Sequence, residues 1–252
     1  MTTKGMGVGV QLGINISSTK FVTLDFTHEK KVDTSLTGNP TIETVGRVTC
    51  YHLFKRNRTG KFDIDGSPLI YALKGMNGYA IVSMYRTMVM KRARDIVESF
   101  ITSAKADYII PMPSSYNVAT EVADLCSGVT GIPIREASFL RKKTVSEALA
   151  EYSSNVPTTH GYKVQRLFEE QLDIWGKMKP NQLVSMKAID TKIRLYFEPF
   201  VSTGDLAELD GKTIILVDDL MSSGASMINV ERIVREEANA ATVAAVCLLS
   251  SL

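Results

Sequence analysis

The chain has 252 residues, 44% hydrophobic and 22% charged, enough to bury the core of one large domain or two small ones. Lys+Arg 29 against Asp+Glu 27 leaves a formal charge of +2, so neither nucleic acid nor an anionic membrane is demanded as a partner. Gly 17 and Pro 8 are too few for a collagenous or linker-dominated chain. Cys50, Cys126 and Cys247 are far apart and form no C-x-x-C pair, and His28, His52 and His160 are equally scattered, so no zinc or redox site can be composed from them. Met1 to Gln11 holds no apolar run of signal-peptide length, and no stretch reaches the roughly 18 apolar residues of a membrane span. The expectation is a reduced, cytoplasmic protein.

From Met1 to about Thr49 apolar residues alternate (Val8, Val10, Leu12, Ile14, Ile16, then Phe21, Val22, Leu24, Phe26), which predicts short strands and turns. Gly5-Met6-Gly7-Val8-Gly9 follows no strand and lacks the third glycine of a dinucleotide loop, so it reads as a flexible terminus. Gly46 to Phe54 predicts a strand, and Lys55 to Lys61 a basic turn. Asp65-Gly66-Ser67-Pro68 starts a short helix that Gly75-Met76-Asn77-Gly78 breaks. Tyr85, Val89, Ala93, Ile96, Val97 and Phe100 keep helical spacing within a helix predicted from Tyr79 to Phe100.

Tyr108-Ile109-Ile110 predicts a strand ending in the loop Pro111 to Ser115. A helix with Val118, Val122, Leu125, Cys126 and Val129 on one face follows, and Ile132-Pro133-Ile134 restarts an extended segment. Strand, loop, helix and strand at this spacing make a βαβ unit and a parallel sheet. Residues 138 to 205 are less regular. They hold the basic stretch Leu140-Arg141-Lys142-Lys143-Thr144, a loop at Ser153 to Gly161, and an amphipathic helix through Val164, Leu167, Phe168, Leu172 and Trp175. A strand is predicted at Ile193 to Phe200. Thr213 to Val217 is β-branched and apolar on both faces, as a central parallel strand requires. A helix to about Glu237 and a last strand, Ala241 to Leu249, close the chain.

The central strand runs into Asp218-Asp219-Leu220-Met221-Ser222-Ser223-Gly224-Ala225-Ser226. A parallel strand delivers such carboxylates to the edge where open α/β sheets bind ligands. Free amides at the following helix start, its dipole and three hydroxyls compose a phosphate cradle, and Gly224 lets the backbone approach closely. Carboxylates repel phosphate, so Asp218 and Asp219 suit ribose hydroxyls, or Mg²⁺ held through water. Together they fit a ribose 5-phosphate.

This segment resembles the phosphoribosyl pyrophosphate (PRPP) motif of type I phosphoribosyltransferases: four apolar residues, two acids, two apolar residues, two Ser/Thr, Gly, any residue, Ser/Thr. Ile214 to Ser226 matches at every position, with Ser222, Ser223 and Ser226 at the hydroxyl positions. Upstream, Leu69 to Gly75, Ile109 to Pro113, Leu140 to Thr144 and Asp210-Gly211-Lys212 look most like the competence protein F group, without its cysteine-rich zinc module. The resemblance covers roughly residues 66 to 252. It implies an α/β fold of Rossmann type, a parallel sheet flanked by helices. An N-terminal strand-rich extension or hood would occupy 1–65, and the phosphoribosyltransferase-like domain 66–252, with an inserted loop and helix region at about 145–205.

The resemblance also implies an activity: transfer of a 5-phosphoribosyl group from PRPP to a nitrogen acceptor, with release of pyrophosphate and Mg²⁺ as cofactor. Asp218 and Asp219 with Arg141 and Lys142 would be catalytic, with Lys143, Lys192 and Arg194 as further cations. Ser222, Ser223, Gly224, Ala225 and Ser226 would hold the 5-phosphate, and Ser114 and Ser115 the pyrophosphate. No Lys or Arg lies between Lys105 and Arg135, so that second loop would act through amides and hydroxyls. Ser222 stands where enzymes of 6-oxopurine salvage carry an acid, which argues against those bases. Tyr116 and Trp175 could stack on a base, although packing is the commoner role for such rings. The other reading is a non-catalytic module on the same fold that senses PRPP or nucleotides with a protein partner. A homodimer stays open, and the short basic loops favour solvated turns over nucleic-acid binding.

Overall fold

A computed structural model describes residues 12–57, 67–101, 105–157, 161–204 and 206–250. The Gly5 to Gly9 stretch and the end of the basic turn, 58–61, lie outside the described residues. The N-terminal alternation yields strands β1 (Gly13–Ile16), β2 (Phe21–Asp25), β3 (Val32–Asp33), β4 (Thr41–Val45) and β5 (Val48–Arg56). Helix α1 (Ser67–Lys74) carries Pro68 in its first turn and ends at Gly75, whose φ of 64° ordinary residues adopt only under strain. Strand β6 (Ala80–Ile81) takes the first residues of the predicted long helix, which begins as α2 at Ser83 and runs to Phe100. Strand β7 (Tyr108–Pro111) leads to helix α3 (Val118–Thr130), capped by Gly131 in the left-handed conformation.

Strand β8 (Leu140–Lys142) is followed by helices α4 (Val145–Tyr152) and α5 (Tyr162–Gly176). Helix α4 went unpredicted, although Thr144 and Glu147 form a capping box at its start. The predicted strand at Ile193 to Phe200 is instead a 3₁₀ turn, Arg194–Tyr196, before strand β9 (Phe200–Ser202). Ile193 and Phe197 are buried, but Leu195, which a period of two would bury with them, is 59% exposed. Strand β10 (Thr213–Leu220), helix α6 (Ala225–Arg232) with a π-helical turn Ile233–Glu237, and strand β11 (Thr242–Leu249) complete the chain.

The fold is α/β, with mixed sheets that contain parallel strands and six α-helices among the described residues. The main sheet has the order β3-β5-β11-β10-β7, with β4 also on β5. Strands β5, β11, β10 and β7 are parallel, and β3 and β4 run antiparallel to β5. Residues 41–56, which the sequence places in the N-terminal extension, supply β4 and β5 of this sheet, with β5 paired directly to β11. Strands β1, β2 and β6 make a small second sheet, and β8 pairs with β9 in a ribbon.

One face of the main sheet packs Ile215 and Val217 against α1, α2 and α3. The other packs Ile214 and Leu216 against Met227, Val230 and Ile233 of the α6 segment. A third cluster is separate: Val145, Tyr152, Phe168, Trp175, Ile193 and Phe197 form the core of a helical satellite built from α4, α5 and the 3₁₀ turns. Phe197 is its keystone, stacked on Phe168 at 4.6 Å and edge-on to Tyr152 at 5.0 Å and Trp175 at 4.9 Å. No helix among the described residues is long and apolar enough to cross a membrane.

The connections decide where a ligand can enter. From β7 the chain passes through α3 to Ile134, which bridges to Ile109 on the outer side of β7. From β10 it passes through α6 to β11 on the opposite side. The neighbours β7 and β10 thus part at a topological switch point, where the loops after the two strands diverge and leave a crevice.

Candidate functional site

A cleft of about 710 Å³ lies at that switch point, between the loop after β7 and the segment Asp218 to Met227. Most of the predicted residues meet there: Asp218, Asp219, Ser222, Ser223, Gly224, Ala225 and Ser226 from one side, Ser114, Ser115 and Tyr116 from the other, and Lys142 and Arg194 on the walls. Arg141 is not among the lining residues. It neighbours Lys142 on β8, but its guanidinium forms a fork with Glu147, at 2.7 and 2.5 Å, at the start of α4. Lys143 is buried and ion-paired with Glu151, Lys192 is exposed outside the lining, and Trp175 is enclosed in the satellite core. The described residues 12–57 contribute no lining residue. Residues Val184 to Lys187, Arg194, Pro199 and Phe200 line one wall of the cleft.

Strand β10 continues through both acids to Leu220, in register with β11 at Asp218 opposite Cys247 and Leu220 opposite Leu249. Successive strand side chains point to opposite faces, so the acids do not stand side by side. Asp219 shares the face of Ile215 and Val217 and is ion-paired with Lys74 at the end of α1. Asp218 shares the face of Ile214 and Leu216, and its Oδ1 accepts the N–H of Asp219 at 2.8 Å. Burial first, and the neighbouring Asp219 second, raise the Asp218 carboxyl above the ordinary carboxylate range.

The turn after β10 opens α6 with Gly224 at φ 77°, where an added Cβ would lie 2.3 Å from Cγ1 of Val45 on β4. Only glycine lets the chain turn this tightly beneath the sheet edge. The first amides of α6 have no helical acceptors, and with Ser222, Ser223 and Ser226 beside them they form an anion-receptive cradle.

Arg194 reaches this cradle from the satellite. Its guanidinium donates to Ser222 Oγ at 3.1 Å and to the Ile189 carbonyl at 2.8 Å, and burial lowers its pKa. The satellite is anchored to α6 itself. Glu198 takes a fork from Arg232, at 2.8 and 2.9 Å, and Asn229 Oδ1 accepts the Phe200 N–H at 2.7 Å.

Sequence reasoning missed two cations. Lys74 and Lys187 both line the cleft, 5.5 and 5.7 Å from the centre of the Tyr116 ring. The pKa of Lys187 is lowered, first by burial and then by the charge of Lys74. Lys74 gave the sequence no functional signal, because a lysine closing a helix is the usual complement of its dipole. Lys187 lies in an irregular segment. Against Asp218 and Asp219, the lining basic groups Lys74, Lys142, Lys187 and Arg194 give the cleft a surplus of positive charge.

Among the described residues no group of three or more His, Cys, Asp or Glu side chains could hold a metal by itself. Magnesium more often binds through one or two carboxylates, its own waters and the phosphates of a substrate. Asp218 fits that mode as a single carboxylate, whereas Asp219 points to the opposite face and already has Lys74 as its counter-ion. Cys50, Cys126 and Cys247 are free and buried, and burial pushes the first two thiols up to about 12.

No protein-family model matches the chain, and no curated protein matches it. Fold and site define a class only: an α/β protein with a cation-rich crevice at the switch point of its sheet.

Proposed function

We propose that the cleft binds a phosphoribosyl ligand and that the protein is a PRPP-dependent phosphoribosyltransferase acting on a nitrogen acceptor, with the fold of the type I family. One observation carries the reading: the Ser222 to Ser226 cradle, the two acids and four cations meet in one cleft at the C-terminal ends of β7 and β10. In this reading the cradle amides, the three hydroxyls and Arg194 take the 5-phosphate. Asp218 accepts a hydrogen bond from a ribose hydroxyl. Lys187, Lys142 and Lys74 face the pyrophosphate beside Ser114 and Ser115, and supply the charge that the loop itself lacks.

Bond loosening at C1 leaves an oxocarbenium-like ribosyl group and a departing anion, so these residues work by positioning and by stabilising negative charge. A magnesium ion held through water by Asp218 would neutralise further charge on the leaving group. A second reading has its own support. Asp219 is engaged by Lys74 rather than free for the sugar, which suits a module that binds PRPP without turning it over.

Mixing the protein with PRPP, Mg²⁺ and a panel of nitrogen bases, and measuring pyrophosphate, tests the enzyme. Release with at least one base supports it, whereas calorimetric binding of PRPP without release across the panel transfers the case to the sensor. The variant Asp218→Asn should lose binding by about 10-fold or more, as for one charge-assisted contact. Undiminished binding by that variant refutes the site assignment.

A further inference from the structure

We propose that Lys74 is a built-in counter-cation of this site, so that a phosphorylated sugar anion binds without depending on a divalent ion. The inference rests on the ribose-phosphate reading and concerns how the anion's charge is met. Its ground is a contact: Nζ of Lys74 pairs with Oδ2 of Asp219, and the two side chains are only 8% and 6% exposed. An ammonium in contact with a carboxylate inside a cleft does what a cation between acid and phosphate would do. It cancels the acid's repulsion and leaves further N–H donors for a ligand.

The position of that ammonium is braced. Arg86 of α2 donates to the carbonyl of Leu73, the residue before Lys74, at 2.7 Å. The same guanidinium grips Glu121 in the first turn of α3, at 2.5 and 2.6 Å. The end of α1 is thereby tied to the two helices packed beside it, and Tyr116 lies against the ammonium at 5.5 Å. A metal ion using Asp219 would first have to displace this buried group. An anion entering instead meets Lys74 together with Lys187, whose pKa the charge of Lys74 helps to lower, and it relieves their mutual repulsion.

The test is a calorimetric titration with PRPP, in EDTA and in Mg²⁺, of the wild type, Lys74→Met and Lys74→Arg. The wild type should bind with affinities within about threefold in the two buffers. Lys74→Met should bind about 10- to 100-fold more weakly in EDTA, the loss of one charge-assisted contact, and recover when Mg²⁺ is added. Lys74→Arg should stay insensitive to the metal. Circular dichroism checks the fold, and if Lys74→Met does not fold, Lys74→Gln, which keeps an uncharged donor towards the Asp219 carboxylate, replaces it with the same loss expected in EDTA and the same recovery in Mg²⁺. A wild type that loses more than about tenfold in EDTA overturns the role of Lys74 and leaves the ribose-phosphate reading intact. Absence of PRPP binding in both buffers refutes that reading, and the inference with it.

Discussion

Gly224→Ala is the sharpest test of how the cradle is built. The residue sits at φ 77°, and a non-glycine there costs about 1–2 kcal/mol. Its new Cβ would also stand 2.3 Å from Val45 Cγ1, closer than any real contact, so Val45 or the turn must move. Overpacking of this kind costs about 1–3 kcal/mol. Movement of Val45 is resisted, because Val45 pairs with Val48 in the sheet and Arg47, two residues on, is tied to Glu231 at 3.3 Å and Glu236 at 2.8 Å. The expected loss is about 2–5 kcal/mol, measured by urea unfolding as a lower midpoint at constant slope. Adding Val45→Ala removes Cγ1 and should return the overpacking share, but not the dihedral share. The double-mutant cycle should therefore show a coupling of about 1 kcal/mol or more. Additive effects, or a Gly224→Ala loss below about 0.5 kcal/mol, would refute the claim that close approach to β4 shapes the cradle.

Asp218→Asn should change how stability depends on pH. A carboxyl whose pKa is raised by folding holds its proton more tightly when folded, so the Asp218 contribution to stability is fullest below about pH 4 and is lost as pH rises to about 7. The variant removes that erosion and should gain on the wild type between pH 5 and pH 8 in unfolding titrations, and a constant offset at both pH values would contradict the burial argument. Arg194→Met should weaken ribose 5-phosphate binding about 10- to 100-fold with little change in melting temperature, read by calorimetry and thermal unfolding. Phe197→Ala should cost about 3–5 kcal/mol by removing the centre of the satellite core. It should weaken ligand binding as well, since Lys187 and Arg194 hang from that core; unchanged affinity would detach the satellite from the site.

Much of the local structure was legible because the signals were local. The run Thr213 to Val217, the helix face of Val118, Val122 and Cys126 with Gly131 behind it, and the stripe from Val164 to Trp175 each carry their period within one element. Ile193 to Phe200 carries a strand-like pattern because a turn held by the aromatic cluster buries residues four apart, and an alternating pattern does the same. The capping box at Thr144 is present in the sequence, but it is short and the basic residues that precede it mask its signal.

The site divides in the same way. The order of strand, acids, serines and glycine from Ile214 to Ser226 was determined by the sequence itself, since contiguous residues share one strand, one turn and one helix start. Tertiary structure decided which cations matter. Lys74 and Lys187 are 113 positions apart and meet over Tyr116 only because α1 and the satellite converge on the same sheet edge. Arg141 and Lys142 are neighbours in the chain, yet only Lys142 lines the cleft, while Arg141 is held by Glu147. The two acids were likewise read as a pair and stand on opposite faces, because a strand alternates its side chains. Composition sums charge over the chain, whereas a site depends on where the fold collects it.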